Sequence, residues 1–161
     1  MDRNLKNFYA YGPELEKTFF DERTGGFLVT ELSRKYKNMS SNDRETFIKE
    51  QRMGMRYASF GFQIQHLDEQ AGVSTPDAYV RRQGKTSSII VNGHYADFKS
   101  SRSGNNVVDY AKHAIHEQGA EFVLLEFTSH HKKIPSAIRE MVSNDIHGYY
   151  YYSDELTYHA F

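Results

Sequence analysis

Cysteine is missing from the 161-residue sequence. Disulfides and thiolate-held metals are thereby excluded, and a bound metal must be held by carboxylate, imidazole, carbonyl or water. Mg2+ or Mn2+ suits that ligand set better than a structural zinc. Long apolar runs are missing too. None approaches the ~20 residues of a membrane-spanning helix, and the N-terminus lacks the apolar core of a signal peptide. The expectation is a cytoplasmic chain with no membrane partner. Net charge is nearly absent, with 20 basic residues against 21 acidic ones, so the chain as a whole exerts no strong pull on a polyanion. The basic residues are unevenly placed, however. Arg81, Arg82, Lys85, Lys99, Arg102, Lys112, Lys132 and Lys133 fall in the middle and later part, while Asp and Glu are denser before Asp77 and near the end.

What is present suffices for one folded unit. Hydrophobic residues make up 39% and aromatics 14%, which at this length predicts a single domain over 1–161 with a sizeable core. Pro13 with Glu14 and Glu16 suits a first helical turn, where a missing N–H costs nothing and acids favour the dipole. Phe8, Tyr9, Tyr11, Phe19 and Phe20 read as packing surface. Thr24-Gly25-Gly26 then turns the chain into a short strand at 27–30. Ser40 to Glu45 offers several capping residues, with Glu45 at capping-box distance from Asn42. Phe47, Ile48, Met53, Met55, Tyr57 and Ala58 carry a helix on to about Ser59, stopped near Gly61. Two readings of Glu50 stand open: it turns with Phe47 and Met53 into the interior or a cleft floor, or it is a surface acid near Arg52 or Arg56.

Strict alternation over 62–67 predicts a half-buried strand. A loop over 68–74 leads to Pro76-Asp77 and a short strand at 78–80, and 81–86 reads as a basic loop able to touch phosphate. Ile89, Ile90 and Val91 before Asn92-Gly93, a type I′ turn signal, place Asp97-Phe98-Lys99 on the return strand of a hairpin. Side chains two apart on a strand share a face. Asp97 and Lys99 therefore converge on one small site, and Phe98 turns to the core. After a loop over 100–104, Asn105 or Asn106 caps a helix whose face is Val107, Val108, Ala111, Ala114 and Ile115, ended by Gly119. The apolar run 121–127 reads as a central strand covered on both faces. Helix then strand after the hairpin implies a crossover, hence a mixed sheet. Pro135 opens a helix, and 149–152 with 156–158 reads as a closing hairpin. His130 and His131 are neighbours that point oppositely on a strand, so both cannot bind one metal; a phosphate-contacting loop is the plain reading.

The order of helix with Glu50, strand, strand with Asp77, strand with Asp97-x-Lys99, helix, strand resembles the restriction-endonuclease-like superfamily with its PD-(D/E)xK motif, here Pro76-Asp77 and Asp97-Phe98-Lys99. The resemblance covers residues 50–127. More narrowly, Gly25-Gly26-Phe27, the Glu50 helix, Thr75-Pro76-Asp77, 93–101 and the Tyr-rich ending look like the C-terminal nuclease domains of contact-dependent growth-inhibition and related polymorphic toxins, and of phage or mobile-element proteins. The implied fold is α/β (α+β), a mixed β-sheet flanked by helices. It has an αβββαβ core at about 42–127, an N-terminal helical and strand extension at 1–41, and a C-terminal helix plus hairpin at 134–161. The implied activity is metal-dependent phosphodiester hydrolysis of DNA or tRNA. Asp77 and Asp97 would be Mg2+ or Mn2+ ligands, the Phe98 carbonyl a third, Glu50 an auxiliary ligand, and Lys99 the base or charge stabiliser. Ser101, Arg102, Arg81, Arg82, His130, Lys132 and Lys133 would hold phosphates as one positive rim. Delivery within a larger toxin and an immunity or inhibitor partner are further implications.

Two alternatives stay open. One is a metal-independent ribonuclease of the barnase, EndoU, colicin or RelE type, with Lys99, Ser101, Arg102 and His94 or His130 working on a 2′-OH. The other is a non-catalytic module, a nuclease fold retained for binding a partner or nucleic acid. Apart from both, the plain structural reading of Asp97 and Lys99 is an exposed cross-strand ion pair worth only ~0.2–1 kcal/mol.

Overall fold

A computed structural model describes residues 3–69, 73–82 and 93–161. Its elements in chain order are α1 (Arg3–Tyr9), β1 (Leu15–Phe20), β2 (Phe27–Glu31), α2 (Leu32–Lys35), α3 (Ser41–Ser59), β3 (Phe62–His66), β4 (Ala78–Arg82), β5 (His94–Ser101), α4 (Val107–Glu117), β6 (Phe122–Phe127), α5 (Ile134–Ser143), β7 (Gly148–Tyr152) and β8 (His159–Ala160). The protein is mixed α+β. Among the described residues the strands form one sheet in the order of the sequence, β1 to β8. The pairs β2–β3, β5–β6 and β6–β7 are parallel and the others antiparallel. Each parallel step carries a helix, as a crossover requires.

The helices cover both faces of the sheet. Ser40 starts α3, its side-chain oxygen accepting from the Asp43 N–H at 3.2 Å, and Gly61 ends it at φ 103°, a conformation that glycine adopts freely. Between these caps Phe47, Met53, Tyr57 and Ala58 fall at helical spacing and are buried. Met53, Tyr57 and Ala58 pack with Leu28, Ile64, Val80, Phe98 and Leu124 on one face, and the Phe47 ring stacks on His66. Val107, Ala111 and Ala114 of α4 and Ile134 and Met141 of α5 pack with Val123, Leu125 and Phe127 on the other. Every residue of β6 is buried, Glu126 included, so the apolar run from Phe122 to Leu125 reflects cover on both sides; each of those apolar side chains contributes ~1.5–3 kcal/mol. A smaller cluster of Phe8, Leu15, Phe27 and Val29 seats α1.

Four readings of the sequence need correction. Residues after Pro13 form strand β1 and not a helix: Leu15 to Phe20 zips against β2 across the Gly25-Gly26 turn, and this non-local pairing outweighs a local helix-start signal. β3 is not half-buried, since Gln63 and His66 are as enclosed as Phe62 and Ile64. Arg81 and Arg82 belong to β4, and Ser100 and Ser101 to β5. The partner of β7 is 159–160 and not 156–158, and Leu156 is 94% exposed. The proposed strand at 89–91, Asn92 and the basic Lys85 lie outside the described residues. Among the described residues no helix is long and apolar enough to cross a membrane.

Candidate active site

The sheet splits where β4 begins. Among the described residues β4 pairs with β5 over Ala78–Val80 against His94–Ala96, while β5 runs on beside β6 as far as Ser101. On the β3 side the Asp77 carbonyl still accepts from the Leu67 N–H at 2.9 Å. On the β5 side the ladder is replaced by carboxylates. Asp97 Oδ1 accepts from the Asp77 N–H at 2.8 Å, and Asp77 Oδ2 accepts from the Phe98 N–H at 2.9 Å. The two acids thus lock each other into the fork at the carboxyl end of β3 and β5, the edge at which open α/β sheets place ligands.

This reciprocal arrangement leaves one atom unpaired. Asp97 is 1% exposed, and its Oδ2 is buried without a hydrogen-bond partner among the described residues. Burial raises its carboxyl to about 6, with the Glu50 charge adding to the rise and the Asp77 N–H and His113 opposing it. Asp77 is raised well above the ordinary carboxylate value, first by burial, then by the charges of Glu50 and Asp97. A buried acid beside a partly buried one, with little positive charge to offset them, is what a divalent cation relieves.

Glu50 occupies the α3 side of the fork. The first of its two open readings holds: it is buried, and its partners are neither Arg52 nor Arg56. Its Oε2 accepts from Arg34 at 3.4 Å and from His66 Nε2 at 2.8 Å. The Gln51 amide nitrogen lies 2.6 Å from His66 Nδ1. Since that amide can only donate, the imidazole proton sits on Nε2 and points at Glu50. Burial alone would push the Glu50 carboxyl up, but His66 and Arg34 outweigh it and hold it below its usual value. Among the described residues no three His, Asp or Glu side chains gather into a metal cage. Asp77 and Asp97 nevertheless fit Mg2+, which commonly takes one or two carboxylates and fills its shell with water and phosphate oxygens.

Lys99 shares the face of Asp97 but forms no ion pair among the described residues; its ammonium lies 4.9 Å over the Tyr110 ring. The exposed ion pair of the plain structural reading of Asp97 and Lys99 is therefore not formed among the described residues. The Tyr110 hydroxyl donates to the Phe98 carbonyl at 2.8 Å, occupying the group assigned as a third ligand. That hydroxyl is held strongly protonated by burial and by the charges of Asp77, Asp97 and Glu50.

The single positive rim does not form. Arg102 and Ser101 sit at the carboxyl end of β5, and the Ser129 hydroxyl donates to the Arg102 carbonyl at 2.6 Å, so His130, Lys132 and Lys133 follow at the same end. Arg81 and Arg82 lie at the opposite end of the sheet, because β4 runs antiparallel to β5. Arg81 donates to the Tyr11 hydroxyl at 2.9 Å, and Arg82 covers the Phe62 and Tyr158 rings. His94 is five residues of extended chain from Lys99, ~16 Å, and pairs with Glu121; it cannot share chemistry with Lys99. His130 pairs with Asp154 at 2.7 Å and stacks on Tyr152.

Arg34, His66, Gln51 and Tyr110 went unnoticed in the sequence. Only His66 left a signal there, as a histidine at the end of a strand next to the loop that leads to Asp77. A third buried acid, Glu126, is held by Arg52, by Ser100 at 2.7 Å and by Tyr151 at 2.7 Å, and it fastens α3 to β6. A cleft of about 820 Å3 does not contain the carboxylate pair but reaches Pro76 beside it.

No protein-family model and no curated protein matches the sequence. Among solved structures, one chain of the CdiA-CT/CdiI toxin and immunity complex from Burkholderia pseudomallei is similar. It shares 15% identity at a TM-score of 0.56, over 83% of this chain and 97% of that one. At that identity the likeness is one of fold.

Proposed function

We propose that the protein is a divalent-metal-dependent nuclease of the PD-(D/E)xK kind, hydrolysing phosphodiester bonds of DNA or tRNA. The carrying observation is the Asp77–Asp97 pair, locked reciprocally in the fork of the sheet with Asp97 Oδ2 buried and unpartnered. Asp77 and Asp97 would hold the ion, and Glu50 would stand behind them as a fixed negative charge. When bound, the ion supplies Lewis-acid polarisation of a phosphate oxygen and makes the attacking water more acidic. Lys99, which pairs with no carboxylate among the described residues and is steadied over Tyr110, stabilises charge that builds on the phosphate or steers the water. Ser101 and Arg102 lie two and three residues beyond Lys99, where a hydroxyl and a guanidinium can hold a neighbouring phosphate. The similarity in fold to a chain of a toxin and immunity complex supports a toxin role and an immunity protein as partner.

The test is cleavage of plasmid DNA and total tRNA by purified protein, with Mg2+ and with EDTA. Asp97→Asn keeps shape and removes the charge that holds the ion, so it should abolish cleavage while the melting temperature without metal stays level or rises. Cleavage of RNA that continues unchanged in EDTA would replace this reading with a metal-independent ribonuclease.

A further inference from the structure

The large cleft beside the fork differs in character from the carboxylate pair. Its floor is a cross-strand row of Gln65, Tyr79 and Tyr95 on β3, β4 and β5. The two tyrosine rings lie 5.2 Å apart at 58°, and Tyr95 is 44% exposed. Its wall carries Glu31, Asp68 and Glu69, and among the described residues no lysine or arginine lines it. Burial would push the Asp68 carboxyl up, but Lys37 and Ser33 outweigh it and keep it below its usual value. Lys37 pairs with Asp68 at 3.1 Å and Arg34 approaches Glu69 to 4.0 Å behind the wall, while Glu31 accepts from the Asp68 N–H at 2.7 Å and has no cation partner among the described residues, so the wall facing the cleft keeps a net negative charge.

We infer that this cleft is the subsite for one unpaired nucleobase of a single-stranded nucleic acid, with guanine preferred. The inference rests on the nuclease reading of the adjoining carboxylate pair and adds the substrate class. An anionic wall repels phosphate, so the backbone stays outside and only an uncharged group enters. Aromatic faces stack any base. Carboxylates favour the edge with adjacent N–H donors, and guanine alone presents both N1–H and N2–H2 there. Adenine and cytosine offer one donor group beside an acceptor, and uracil a single N–H between two carbonyls. In a duplex those edges and faces are taken up by pairing and stacking, so an unpaired base is required. The volume, about 820 Å3, lies within the range of ligand pockets. Pro76 lines the cleft and Asp77 follows it, so a base seated there brings its own phosphodiester towards the fork.

The experiment uses Asp97→Asn protein, in which cleavage is silenced, and fluorescence anisotropy with short labelled strands. A uridine strand with one central guanosine should bind tighter than an all-uridine strand, and tighter than the same strand paired with its complement. Adding Tyr95→Ala should weaken binding roughly 5- to 150-fold, the equivalent of the ~1–3 kcal/mol of one stacked base, and Tyr95→Phe should restore it. Equal binding of duplex and single strand, indifference to the guanosine, or no effect of Tyr95→Ala would overturn the subsite. Cleavage by the wild-type protein in Mg2+ is scored separately. Metal-dependent cleavage with binding indifferent to Tyr95 rejects the subsite alone, whereas Tyr95-dependent binding without cleavage rejects the nuclease reading and leaves the subsite standing.

Discussion

A buried carboxylate oxygen with no partner needs a cause, because nearly all enclosed polar groups in native proteins are satisfied. Asp97 Oδ2 is such an atom, whereas the equally enclosed Glu50 and Glu126 are held by neighbours. The contrast separates acids that the fold neutralises from acids left for a ligand. Spacing alone made Asp97 and Lys99 legible as one face and opened the interior reading of Glu50. It could not supply the partners of Glu50, because Arg34 and His66 lie sixteen residues away on either side and meet it only through the packing of α2 and β3 against α3. Replacing Arg34 with Met keeps bulk but leaves Glu50 with His66 as its one remaining partner. Urea unfolding should show a loss of roughly 1–3 kcal/mol, the penalty for an undersatisfied buried charge. A midpoint equal to wild type would mean that His66 suffices.

At the scale of elements, β5 carries opposite tasks on its two faces. Phe98 packs into the core beneath α3, while Asp97 and Lys99 face α4, and the period of two that read this correctly is a property of any strand. The same local logic failed at Pro13. A proline followed by acids fits a helix start, but hairpin pairing with β2 is a non-local gain that no window of sequence contains. It failed again in 156–158, where tyrosine's strand preference was overridden by a pairing that begins only at His159. Lys99 illustrates what the face of β5 predicts. Its ammonium rests over the Tyr110 ring, a cation–π interaction worth ~0.5–1 kcal/mol at an accessible site. Lys99→Ala should therefore melt close to wild type and bind Mn2+ normally, yet lose turnover. Loss of metal binding would instead make the lysine part of the ion's site.

For the whole molecule, the order of helices and strands was largely legible between Ser40 and Ser143, where apolar periodicity is strong. The rim was not, since which basic residues share an edge depends on strand direction: β4 antiparallel to β5 sends Arg81 and Arg82 away from Arg102. Two groups of acids also give the protein a characteristic response to pH. Glu50, Asp68, Glu121 and Glu126 have lowered values in the fold, so their contribution is complete above the usual carboxylate range and is lost in acid. Asp77 and Asp97 are raised, so the folded state holds more protons than the unfolded one between pH ~4 and about 6, and for Asp77 beyond it. Stability without metal should therefore rise to a maximum near pH ~5 and decline towards neutrality, at ~1.4 kcal/mol per unit of raised value. Thermal melts from pH 4 to 8 should show that decline, Asp97→Asn should flatten it, and saturating Mg2+ should offset it at pH 7. A metal-free profile that climbs steadily to neutrality would contradict it. The cation site itself is tested most directly by calorimetric titration of Mn2+ into wild-type protein at neutral pH, in buffers of different ionisation heat. One ion should bind per chain with release of protons from the carboxylate pair, and Asp97→Asn should give no binding heat. Absence of binding to the wild type, or binding that survives Asp97→Asn unchanged, would contradict the assignment of Asp77 and Asp97 as the cation site.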